Sequence, residues 1–77
     1  ALYVKYSSEQ LVVGNTMQLT AYNDLGTEVT PVWSTANTTF GSVDSTGKLT
    51  TTATGIVEIT ATLNNTTATV RITIIPE

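Results

Sequence analysis

The chain contains neither cysteine nor histidine. Without cysteine it forms no disulfide and has no thiolate nucleophile. Without histidine it lacks an imidazole general base and the usual donors for zinc or copper. The missing cysteine does not fix a reducing compartment, because bacterial surface proteins often do without it. Positive charge is also scarce: Lys5, Lys48 and Arg71 face six acids, for a net charge of −3. Phosphate backbones are held by clustered Lys and Arg, so nucleic acid is excluded as a partner. An anionic membrane surface is excluded on the same ground. No apolar run approaches the roughly 20 residues of a membrane helix, and no signal peptide is present. The chain has 77 residues, enough for a single small domain. A domain of this size buries roughly 60% of its unfolded surface. Most apolar side chains must therefore serve the core, which leaves little for an enclosed active site. The start at Ala1 and the end at Ile75-Pro76-Glu77 are those expected of a module cut from a longer, multidomain protein. On that expectation, the missing signal peptide says nothing about where the parent goes.

What the chain has in abundance is threonine, 18 of its 77 residues. Threonine is β-branched, stiff at χ1, and suits a half-solvated pleated surface. Alternation dominates the sequence and no helical period is sustained. Residues 2–6 read as a first strand, and Leu11-Val12-Val13-Gly14 as a short apolar run ending in a turn. Met17, Leu19 and Ala21 alternate with polar or larger neighbours, which predicts a strand with its core face on the odd numbers. Asn23 to Gly26 form a turn. Val29, Pro31, Trp33 and Thr35 share one face of the next strand, which must be irregular or at an edge where Pro31 cannot donate a hydrogen bond. Phe40 and Val43 precede a turn over Asp44–Gly47, and Leu49 to Thr52 follow it. Ala53-Thr54-Gly55 make another turn. Val57, Ile59, Ala61 and Leu63 alternate up to the hairpin signal Asn64-Asn65, and Ala68, Val70, Ile72 and Ile74 alternate after it. About seven short strands at this spacing predict an all-β sandwich or barrel, with no internal repeat.

Five stretches make the pattern specific. They are Val13-Gly14-Asn15-Thr16-Met17-Gln18-Leu19-Thr20-Ala21, Val32-Trp33-Ser34-Thr35-Ala36-Asn37, Val43-Asp44-Ser45-Thr46-Gly47-Lys48-Leu49-Thr50, Ala53-Thr54-Gly55-Ile56-Val57-Glu58-Ile59-Thr60-Ala61-Thr62 and Ala68-Thr69-Val70-Arg71-Ile72-Thr73-Ile74. In this order and spacing the sequence resembles the bacterial immunoglobulin-like domain, group 2. Phe40-Gly41-Ser42-Val43 departs from the family, which usually has a small aliphatic pair before the Val. The resemblance covers roughly residues 11–74 and implies an immunoglobulin-like β-sandwich of about seven strands without a disulfide, so residues 1–77 are expected to be one such domain. It implies a parent on a bacterial cell surface, in a secreted enzyme or on a phage particle. It also implies tandem stalks or adhesive or catalytic neighbouring domains, and it transfers no catalytic residue. With no cystine, Trp33 is expected at the centre of the core with Leu19, Ile59, Ala61 and Ile72 around it, so that Trp33→Ala would not fold.

The stretch Phe40 to Thr51 also evokes two enzyme motifs, and both fail on spacing. A Walker loop has four residues between its first Gly and Gly-Lys; here five separate Gly41 from Gly47, Leu49 follows Lys48, and no helix follows. Ser45-Thr46-Gly47-Lys48 spells S-x-x-K, but that chemistry needs a Lys with a lowered pKa in a buried pocket, and a four-residue turn solvates both side chains. As a turn, the stretch needs the Asp44 carboxylate to accept local N–H bonds and Gly47 to take a positive φ. Asp24, Glu28, Asp44 and Glu58 are oxygen donors suited to calcium, but they are scattered and no calcium-loop cluster exists. No cofactor is therefore expected, and calcium is the one metal worth testing. Asn37-Thr38-Thr39, Asn64-Asn65-Thr66 and Asn65-Thr66-Thr67 match the glycosylation pattern, which chance supplies readily in a Thr-rich chain.

Tyr3 and Tyr22 are expected to point outward, where aromatics can stack on sugars or anchor a protein. Lys5 and Arg71 are expected to guard strand edges. The functional expectation is a non-catalytic, extracellular spacer or adhesion module. Its partners would be neighbouring domains of the same chain and a surface protein or glycan, and the isolated domain would be monomeric. The alternative is an accessory carbohydrate-binding module beside a secreted glycoside-active enzyme.

Overall fold

The computed structural model describes residues 1–36 and 38–77. Among the described residues ten strands follow in order: β1 (Tyr3–Lys5), β2 (Gln10–Val12), β3 (Thr16–Gln18), β4 (Thr20–Tyr22), β5 (Glu28–Val29), β6 (Val32–Thr35), β7 (Gly41–Val43), β8 (Lys48–Thr51), β9 (Gly55–Leu63) and β10 (Thr66–Ile75). They form three sheets, β1-β4-β5, β3-β8-β7 and β2-β10-β9-β6. The first two are joined by one chain segment, because β3 and β4 are a single run interrupted at Leu19. The Leu19 N–H leaves the run to donate to Gly47 O at 2.8 Å. This split layer packs on the four-stranded sheet, giving the expected all-β sandwich.

Two interruptions each split one predicted segment in two, which is part of why ten strands appear where about seven were expected. One is the break at Leu19. The other is Thr30-Pro31, where a residue without an N–H cannot continue a ladder. Before it, β5 pairs with β4 (Ala21↔Val29, Tyr22↔Glu28); after it, β6 pairs with β9 in the other layer (Val32↔Thr62, Trp33↔Ala61). The proline is thus the point where the chain crosses between layers, and the strand is irregular there, as its missing N–H requires. The first apolar segments also divide between layers: β1 pairs antiparallel with β4, whereas β2 pairs parallel with β10.

The alternation holds residue by residue. Met17, Leu19 and Ala21 are buried and their neighbours are not; the same is true of Val57, Ile59 and Ala61 on β9 and of Val70, Ile72 and Ile74 on β10. The core, however, is not centred on Trp33. The largest fully buried side chains are Leu19, Leu49, Ile59, Ile72 and Val57. Trp33 is only partly buried and packs at the junction between this cluster and a smaller one made of Leu2, Ala21 and Ala61. β6 is an edge strand, so its inward side chains cover the flank of the sandwich instead of its middle. Arg71 lies on β10 opposite Glu58 of β9 and donates across the ladder to it at 3.0 Å, while the pairing of β10 with β2 begins only at Thr73↔Gln10. Lys5 does lie on an edge strand.

Phe40 shows how its departure from the family pattern packs. Its ring lies where a Cβ on Gly55 would be, 2.6 Å from the ideal position, and Gly55 holds φ at +145°. An aromatic ring over a strand glycine replaces the side chain that the glycine lacks.

Candidate functional site

The turn Asp44–Gly47 comes first, because the enzyme motifs fell there. The Gly47 N–H donates to Asp44 O at 3.1 Å, which closes the four-residue turn. One Asp44 carboxylate oxygen accepts from the Thr46 N–H at 2.9 Å, the Thr46 hydroxyl at 2.6 Å and the Lys48 N–H at 3.0 Å. The Thr46 hydroxyl bond and then the Lys48 backbone bond hold the Asp44 carboxyl below its ordinary value. Gly47 has φ +88°, as the turn requires. Ser45 and Lys48 are both exposed, so no buried pocket encloses the S-x-x-K pair. Strand β8, not a helix, follows the lysine.

The scattered oxygen donors stay scattered. Asp24 pairs with the Ala1 ammonium at 2.6 Å, which lowers its pKa; Glu58 pairs with Arg71. Among the described residues, no three His, Cys, Asp or Glu side chains lie close enough together to hold a metal ion. Of the glycosylation matches, Asn37 lies outside the described residues. Asn64 and Asn65 form the two-residue hairpin turn between β9 and β10, with φ +50° and +67°. Tyr3 and Tyr22 face each other across the β1–β4 ladder. Tyr3 is 55% exposed, whereas Tyr22 is half-buried against its neighbours.

A concave feature lies elsewhere, at the two strand interruptions. A pocket of about 210 Å³ opens between the Leu19 break, the β5–β6 crossover and the Asp44–Gly47 turn. Trp33, Glu28, Thr30, Gln18, Thr20 and Thr46 are among the residues that line it. Gln18 is held in place because its amide donates to Leu19 O at 3.0 Å and to Thr46 O at 2.8 Å. Gly47 lies against the indole: an ideal Cβ there would sit 2.9 Å from Trp33 Cε2 and 3.0 Å from Nε1. The alternation pattern does not reveal Gln18 as a lining residue, since it marks Gln18 only as an outward-facing position. Pro31 was the available signal, because a forced strand break opens a gap in the layer.

Thr51 was also missed. Its hydroxyl is buried, accepts from the Gly14 N–H at 2.9 Å and donates to Asn15 O at 3.0 Å. It ties the turn after β2 to the end of β8. In a chain with so much threonine nothing distinguishes this one.

The geometry is that of an immunoglobulin-like sandwich. The chain is similar to a chain in the crystal structure of an EHEC O157:H7 intimin mutant, with TM-score 0.77 and 23% identity. The likeness covers 96% of this chain and 46% of that one, so this chain spans less than half the length of its structural neighbour. No curated protein matches it. The sequence profile of the bacterial Ig-like domain (group 2) matches residues 2–74. The chain belongs to that family.

Proposed function

We propose that the protein is a non-catalytic structural module of an extracellular bacterial or phage protein, and that it holds a neighbouring domain away from a surface. The observation that supports this most is the placement of the two ends. Ala1 lies beside Asp24 in the turn between β4 and β5, and the register of β6 on β9 puts the Asn64-Asn65 hairpin at that same end. Ile75 lies beside Val12 and accepts from the Val13 N–H at 2.9 Å, next to the Thr51 clamp at the other end. The body between them is 38 Å long and 20 by 16 Å across. Domain termini often lie close together; here they are separated by the long axis, which suits end-to-end stringing. The module needs no cofactor for this role, and its partners are the neighbouring domains. Membership of the bacterial Ig-like domain family (group 2) supports a setting in a bacterial surface or secreted protein.

Replacement in the parent protein tests the reading. Deleting the module should impair display or adhesion by the parent, and an unrelated rigid sandwich of similar length, put in its place, should restore it. Failure of that replacement, with the parent still folded and exported, would contradict a spacer role.

A further inference from the structure

The pocket beside Trp33 has a chemistry that a spacer does not require. Among the described residues the Trp33 Nε1–H has no acceptor, and no buried side-chain polar atom is left without a partner, so this N–H opens to solvent. Both Gln18 amide protons point to main-chain oxygens, which leaves its Oε1 fixed in place and free to accept. Glu28 makes none of the ion pairs found among the described residues, Ala1–Asp24 and Arg71–Glu58. Thr20 and Thr30 add hydroxyls at the same opening. The site therefore offers an indole edge, a carboxylate, a fixed amide oxygen and two hydroxyls within one concavity.

This set selects among ligand classes. None of Lys5, Lys48 and Arg71 lines the pocket and Glu28 does, so an anion is repelled. An apolar ligand would leave the polar groups unpaired when it covered them. An ammonium would suit Glu28 and the indole, but would give nothing to the Trp33 N–H. A neutral sugar ring matches the set best: its hydroxyls donate to the carboxylate and the amide oxygen, and one oxygen accepts from the indole N–H, which lies in the plane of the indole, so that the sugar meets the indole at its edge. The volume is below the roughly 300 Å³ at which drug-sized pockets begin, so one ring is the size that fits.

We propose that this pocket, formed where β3–β4 and β5–β6 are both interrupted, binds a single neutral sugar unit of a surface glycan. The proposal goes beyond the spacer reading and does not depend on it. It also places sugar contact at Trp33 and not at the Tyr3–Tyr22 pair.

The chain has one tryptophan, so its indole N–H gives a single NMR signal that reports on this pocket. The test titrates the ¹⁵N-labelled protein with free glucose, galactose, mannose and N-acetylglucosamine, and separately with choline. At least one sugar should shift the indole signal along a saturating curve, with a Kd on the order of millimolar. Glu28→Ala, at an exposed position, should keep the dispersed spectrum and weaken that sugar about ten-fold, the loss expected for one hydrogen bond to a charged group. Tyr3→Ala should leave it unchanged. Absence of a saturating shift with every sugar, saturation with choline alone, or equal affinity in Glu28→Ala would each overturn the proposal, while the spacer reading would stand.

Discussion

At Gly47 the backbone holds φ at +88°, and a side chain there would meet Leu19 O at 2.6 Å and the Trp33 indole. Two separate constraints thus demand glycine: a left-handed backbone and a close approach. The first costs an L-residue about 1–2 kcal/mol. Chemical denaturation of Gly47→Ala should show a loss of at least about 2 kcal/mol, since main chain cannot move aside cheaply; an unchanged midpoint would refute the contact. Asp44 in the same turn gives a pH signature. Its folded pKa is depressed, so its contribution is complete above the unfolded value of about 3.9 and is lost as pH falls through the folded value. Asp44→Ala should lower the melting temperature at neutral pH, and the difference from the parent sequence should shrink below about pH 4. A difference that persisted undiminished in acid would show that the carboxylate charge is not involved. These roles were legible in the sequence, because Asp and Gly at fixed offsets imply a mechanism. Thr51 was not legible, because its buried hydroxyl differs from its neighbours only through distant partners at Gly14 and Asn15.

Among the elements, the β9–β10 hairpin contributes the longest ladder, running from Thr66↔Leu63 to Ile74↔Gly55. Its two-residue turn puts Asn64 and Asn65 at positive φ, the conformation whose twist matches that of the strands. Asn65→Ala should lower stability by about 1 kcal/mol, whereas Asn65→Gly should equal or exceed the parent. Equal stability of the two variants in urea would show that the turn tolerates either backbone. Period-2 patterning placed this hairpin well, since both strands have one buried face. Patterning was weaker at the other elements for two reasons. It could not show that residues 16–22 break at Leu19, because that break arises from a bond to Gly47, distant in sequence. Nor could it place Trp33 on an edge strand, since strand order in a sheet is not written in any one strand's alternation. That is why the expected core centre moved from Trp33 to Leu19, Leu49, Val57, Ile59 and Ile72. The pocket escaped the sequence for the same reason, because it exists only where two interruptions meet.

Taken whole, the molecule is a sandwich whose ends lie at opposite poles of its 38 Å axis. Threonine supplies much of its solvated surface and the two layers enclose an apolar core. A rigid body of this form should string without folding back, provided that the joint between copies is short. Small-angle scattering from three copies joined directly, Glu77 to Ala1, compared with a single copy, tests that claim most directly. The maximum dimension should grow by close to 38 Å with each added copy. Growth of less than half that per copy, with every copy folded, would mean that the modules pack side by side, and would contradict the spacer account.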